Sequence, residues 1–247
     1  MRALVIDIET SPNLAHVWSL WGQNVSLSQL QETGHVMSFA AKWLGGRKVE
    51  YRSDFHDGHE TMIARAHELF DEADAVITYN GMRFDVPHLN REFIEAGMAP
   101  PSPHKDIDLI KTVKSKFRFT SNKLDHVAQQ LGLGSKVKHP GHELWVRCLA
   151  DDPKAWALFK RYNVQDVALT EDLYYKLQPW IVGHPHRGLV DGIPGDCCGK
   201  CGSTDLQRRG FDITSTGRFQ RVQCRGCGAW SREGKRVAGV DVRPIAA

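Results

Sequence analysis

Asp7 and Glu9 stand two residues apart at the end of an apolar run, Ala3-Leu4-Val5-Ile6. On a strand, that spacing points both carboxylates to one face and Ile8 to the other. Two such acids repel and resist desolvation, and a divalent cation answers both problems: Mg²⁺ is held by a few carboxylates and keeps positions for water and phosphate oxygens. Asp85 closes the stretch Thr78-Tyr79-Asn80-Gly81-Met82-Arg83-Phe84-Asp85, directly after a second strand-like run and at a helix start. Tyr162 and Asp166 are four apart on a long helical segment and so share one face, where a phenol beside a carboxylate can orient a water molecule. Each element alone has a plainer explanation: a strand running out into solvent, an acid favoured at a helix N-terminus, an exposed helix face.

A different chemistry is written near the end of the chain. Cys198-Gly199-Lys200-Cys201 and Cys224-Arg225-Gly226-Cys227 are two C-x-x-C pairs separated by 22 residues. Four thiolates at that spacing suit a closed tetrahedral zinc shell, so the ion expected here is one structural Zn²⁺ with no open position. Gly202 and Gly228 follow the pairs and permit a tight turn at each. Cys197 is left as a spare beside Cys198, and Cys148 reads as a core residue. The module resembles the zinc ribbon family.

The elements that must position these groups follow from periodicity. Residues 2–8, 36–43 and 48–55 read as strands, with Gly45-Gly46 as a hairpin signal, which predicts a three-strand antiparallel meander. Residues 61–73 and 86–96 read as helices around a strand at 75–79, followed by a short apolar segment at 107–110. Helices are expected at 124–131 and 153–177, the latter stopping before Pro179. Residues 11–33 carry no usable period. The fold class expected is α/β, a mixed sheet of antiparallel meander and parallel strands flanked by helices, with a small C-terminal zinc ribbon. The expected domains are residues 1–180, a Gly/Pro/His-rich linker at 181–195, and residues 196–247.

Charge divides the same way. From residue 196 onward ten Lys/Arg face five Asp/Glu, while the preceding residues hold 22 against 24, so a +3 total separates into +5 and −2. Five of the six cysteines fall within residues 197–227, which in a reducing compartment argues for metal over disulfides. No run approaches the ~18 apolar residues of a membrane span, and acids interrupt the only apolar stretch near the N-terminus. The expectation is a cytoplasmic, intracellular protein with no membrane partner.

Taken in order, Asp7-x-Glu9, Asn80 with Phe84-Asp85, and Tyr162-x-x-x-Asp166 resemble the DEDDy branch of 3′-to-5′ exonucleases, of ribonuclease H-like fold. The variant with His in the third motif is absent, because position 161 is Arg. The likeness covers about residues 1–180 and points to exonuclease domains of family B polymerases and small phage-encoded or bacterial relatives. It implies phosphodiester hydrolysis with two Mg²⁺ or Mn²⁺ ions held by Asp7, Glu9, Asp85 and Asp166, with Asp7 bridging and Tyr162 placing the attacking water. Asn80 would touch substrate or support its loop, while Asp106 and Asp108 match no required position and read as surface or capping acids. An endonuclease or junction resolvase of the same fold, and a non-enzymatic binding module, are the rival readings.

Two basic-aromatic clusters suit a nucleic-acid partner, with DNA favoured over RNA. One contains Lys116, Arg118 and Phe119, for which a loop or edge strand with its Phe rings in the core is the alternative. The other surrounds the cysteines and includes Arg209, Phe219 and Arg221, with docking to a replication or recombination protein as the alternative. His139-Pro140-Gly141-His142 and His184-Pro185-His186 read as turns.

Overall fold

The computed structural model describes residues 1–241; the last six residues of the expected 196–247 segment lie outside them. The chain divides into two units, residues 2–173 and the residues from Tyr174 onward together with Met1.

In the first unit, β1 (Ala3–Thr10) supplies the apolar centre of the sheet. It runs two residues past the expected end because β4 (Val36–Trp43) pairs it antiparallel through Glu9↔Ser38 and Thr10↔Val36. The intervening segment without a period forms a small two-stranded ribbon of β2 (Leu14–Ala15) and β3 (Leu30–Glu32). β5 (Glu50–Ser53) completes the meander, shorter than expected because Ser53 accepts the His56 N–H and caps α1 (Asp54–Asp57). α2 (His59–Asp71) then leads to β6 (Ala75–Thr78), which joins β1 in parallel, and α3 (Asp85–Glu95) leads to β7 (Lys105–Asp108), parallel to β6. The sheet order is β5-β4-β1-β6-β7, the mixed parallel and antiparallel arrangement expected.

The helices that follow are α4 (Leu109–Lys116), α5 (Leu124–Gln130), α6 (His142–Leu149) and α7 (Pro153–Leu177). One core cluster joins β1 and β4 to α2 and α3 through Leu4, Ile6, Phe39, Met62, Phe70 and Leu89; a second packs Trp156 and Phe159 of α7 on Leu144 and Met37. Polar ties also fix α7 to the sheet. Ser38 donates to Asn163 Oδ1 at 3.1 Å, Lys42 pairs with Glu171, and the Gly45 N–H reaches Glu171 Oε1 at 2.8 Å.

The second unit holds α8 (Arg187–Asp191), a short helix inside the stretch expected as linker, and a three-stranded antiparallel sheet. Its strands are β8 (Leu206–Ile213), β9 (Gly217–Cys224) and β10 (Trp230–Gly239), in the order β10-β9-β8.

Candidate active site and cysteine centre

β1, β6 and β7 run parallel, so their C-terminal ends open on one edge of the sheet, the usual place for a site in such folds. Asp7 and Glu9 end β1 on one face, as their alternation predicted. α7 brings Asp166 to them, and the oxygens of Asp7, Glu9 and Asp166 lie within 4.8 Å of one another. Asp85, the first residue of α3, is 4 % exposed and sits beside this group without being inside that distance; its Oδ1 accepts the Ile8 N–H at 3.0 Å. Close approach sets the turn before it: a Cβ on Gly81 would come within 2.4 Å of the Thr78 side chain, so only glycine fits. Asn80 takes φ 72° there and donates its N–H to Asp108 Oδ1 at 2.7 Å. Asp108 also caps α4 at Ile110, the capping role expected of it, while Asp106 lies 3.7 Å from His104.

Four side chains whose place in the site the sequence did not indicate complete it. Lys136, from the irregular segment between α5 and α6, donates to Asp166 Oδ2 and, at 3.1 Å, to Tyr162 Oη. Its backbone N–H is anchored on Asp125 Oδ1 at 2.7 Å. Asn163, fully buried on α7, donates to the Asp7 carbonyl at 3.1 Å and to Asp7 Oδ2 at 2.7 Å. His139 and Trp145 stack edge-on against the Tyr162 ring at 4.7 and 6.3 Å, and the Trp145 indole donates to the Thr10 carbonyl. His139 therefore packs against a site residue in addition to forming the expected turn. A signal for Asn163 existed, since an amide beside Tyr162 on a buried helix needs partners; nothing in the sequence marks Lys136.

Electrostatically the cluster holds more negative charge than its lysine offsets. Burial first, then Asp85, Glu9 and Asp166, push Asp7 well above the ordinary carboxylate range. Burial, with Asp166, lifts Glu9 to about 8, and burial lifts Asp85 to about 7 despite the Ile8 N–H. Asp166 is raised by burial against the pull of Lys136, and its Oδ1 is buried with no hydrogen-bond partner. An orphaned oxygen among crowded carboxylates is the donor set a hard divalent cation takes. Carboxyls held above their unfolded values stabilise the fold below about pH 4, and that contribution is lost as pH rises through 7 to 8. Melting of the metal-free protein should therefore fall between pH 6 and 8.5, and the gain from Mn²⁺ should be larger at pH 8 than at pH 6, at about 2–4 °C per kcal/mol. Equal gains at both values would contradict this.

Lys116, Arg118 and Phe119 stand at the end of α4 and in the loop beyond it, and none of the four carboxylates lines the depression they share. With Lys114, Phe117 and Asn122 they line a shallow basic depression, and the two Phe rings tilt together at 5.7 Å, half-exposed.

In the second unit the four cysteines converge, with sulfurs 3.7 Å apart for Cys198–Cys227 and 3.6 Å for Cys201–Cys224. Four thiolates about 2.3 Å from one zinc sit about 3.8 Å apart, so the set fits that ion. The two turns match: Gly202 N–H bonds Cys198 O and Gly228 N–H bonds Cys224 O, both at 2.8–2.9 Å, with φ of 80° and 82°. Cys197 is outside this group and packs on Gly188 of α8.

Residues 28–178 match the family model RNase_H_2, of the RNase_H superfamily. The match covers Asp85, Tyr162 and Asp166 and begins after β1, so Asp7 and Glu9 stand outside it. No curated protein matches the chain.

Proposed function

The chain belongs to the RNase_H superfamily, whose members are generally hydrolytic nucleases, and on that premise we propose that it is a divalent-metal-dependent 3′-to-5′ exonuclease acting on DNA in preference to RNA. The observation that carries the reading is the convergence of Asp7, Glu9 and Asp166 at the end of β1, with Tyr162 on the same helix face as Asp166 and Asp85 beside Asp7.

In this reading Asp7, Glu9 and Asp166 would hold one Mg²⁺ or Mn²⁺ ion, and Asp85 would help to hold a second. When bound, such ions activate water and stabilise the leaving 3′-oxygen. The chain's own groups do the rest. Asn163 fixes the rotamer of Asp7 from behind, and His139 and Trp145 hold the Tyr162 ring so that its hydroxyl can orient a water. Lys136 neutralises part of the cluster and keeps Tyr162 Oη in place. Lys116, Arg118 and Phe119 track the backbone of the strand, Asn80 supports the loop before Asp85, and the zinc ribbon adds affinity for nucleic acid.

The test offers two substrates with Mn²⁺ present: a linear oligonucleotide labelled at its 5′ end and a closed single-stranded circle. A ladder shortening from the 3′ end with the circle left intact is expected. Cutting of the circle would replace the reading with an endonuclease or resolvase, and no cleavage of DNA or RNA would leave a binding module.

Lys136 gives a separate check on the site. Its ammonium opposes any cation placed on Asp166, so Lys136→Met should tighten Mn²⁺ binding at pH 8 by about tenfold in calorimetry, ~1.4 kcal/mol. Weaker binding would mean that the lysine instead organises the ligands.

A further inference from the structure

The two faces of the three-stranded sheet in the second unit differ. Directly opposed residues of antiparallel strands share a face, and residues two apart along a strand do too. Phe219, Arg221 and Gln223 of β9 therefore lie on one face, joined by Trp230 and Arg232 of β10, which pair with Gln223 and Arg221. Arg209 of β8 reaches the same face, where it donates to Gln223 Oε1 at 2.7 Å.

On this face the arginines are laid over rings. Arg221 and Arg209 sit 4.8 and 5.7 Å from the centroid of Trp230, and Arg232 sits 4.3 Å from that of Phe219. Each is also hydrogen-bonded in place: Arg221 to the Arg209 carbonyl at 3.0 Å, and Arg232 to Asp212 at 2.7 Å. A guanidinium has five N–H donors, so most remain for another partner, and the ordering cost of a long flexible side chain is already met. Trp230 is 47 % exposed. The opposite face also holds one ion pair and one ring-laid arginine, Arg208 with Glu233 at 2.7 Å and Arg218 on Phe211 at 3.5 Å, but the single tryptophan of the three strands is not on it.

We propose that the face bearing Arg209, Phe219, Arg221, Trp230 and Arg232 is a platform for single-stranded nucleic acid, its bases stacking on Trp230 and the ordered guanidinium planes and its phosphates taking the spare N–H donors. The proposal extends the nuclease reading by naming which surface of the ribbon engages the strand. Positive charge alone suits any polyanion; the alternation of flat cations with aromatic rings on an exposed sheet suits a chain that is anionic along its backbone and aromatic along its edge.

The experiment uses the full zinc-loaded chain carrying Asp7→Asn, so that substrate survives, and measures fluorescence anisotropy with a labelled 20-nucleotide single strand. Arg221→Ala with Trp230→Ala should weaken binding by about tenfold or more, while the charge-comparable pair Arg208→Ala with Arg218→Ala changes it by less than about twofold. Zinc content unchanged in both confirms that the ribbon is intact. If Trp230→Ala lowers it, Arg209→Gln with Arg221→Gln, which leaves the ring in place, carries the comparison. Equal losses from the two faces, or no loss from either, overturn the proposal. So does a polyglutamate chain of equal charge binding as tightly as the oligonucleotide, which would indicate an acidic protein partner. The readout is affinity on a chain disabled for cleavage, so it is independent of whether the unmodified chain acts as an exonuclease.

Discussion

Asp7→Asn should abolish Mn²⁺-dependent shortening of a 3′ end, by at least about 10³-fold, and at the same time raise the melting temperature of the metal-free protein. The two effects have one cause. Asp7 lies among Glu9, Asp85 and Asp166 in a buried setting that disfavours its charge. Replacing it with a neutral amide of the same shape removes a repulsive, desolvated carboxylate and leaves Asn163 a carbonyl oxygen to bond. The fold therefore gains, by a few degrees at pH 8 in a calorimetric scan, while the group whose charge couples to every other acid in the site is lost. A structural role for Asp7 predicts the opposite sign in the scan, because removing a stabilising residue lowers both quantities. Activity retained within tenfold would set aside Asp7 as a ligand.

The second large effect concerns zinc. Cys224→Ser, or treatment with a strong chelator, should unfold the ribbon while residues 2–173 stay folded. The core of the small sheet consists of Cys198, Cys224 and Ala229, with Cys201, Leu206 and Cys227 partly buried against it, so the four cysteines are themselves most of the apolar centre. The strands contribute little more, since β8 and β10 are exposed along nearly all their length. Structural zinc supplies about 10–16 kcal/mol in modules of this kind, far more than such a core provides. Limited proteolysis checks it: rapid cleavage beyond residue 196 with a stable fragment that retains the whole of α7 is expected, together with release of one zinc per chain. Equal protection with and without the metal would show that the sheet stands without it.

Much of the carboxylate site could be read from the chain because it lies on regular elements. Two-residue spacing on β1 and four-residue spacing on α7 fix which side chains share a face, and the strand-to-helix step places Asp85. The same logic reached the five-stranded sheet, whose strands are apolar and bounded by turn residues. Lys136 was invisible for the converse reason: it arrives from a loop, and which loop residue points inward depends on the anchor at Asp125, eleven positions away. Residues 109–116 fold as a helix for which only the short apolar segment at 107–110 was read, although the capping role of Asp108 at its start was expected. The ribbon strands gave no alternation of apolar and polar residues to detect, since arginine occupies both faces.

The Ile8 N–H bound by Asp85 also makes a built-in gauge. β1 and β6 stay in register only from Ala3↔Ala75 to Val5↔Ile77; beyond that the strands part, and the carboxylate takes the place of the missing ladder partner. One oxygen of Asp85 is thus committed to the backbone between Asp7 and Glu9, leaving the other for a cation. A charge arriving at that second oxygen draws electron density away from the first and loosens its hold on the amide. The amide resonance of Ile8 should move with ion occupancy, so a single peak reports filling of the site without any substrate being cut.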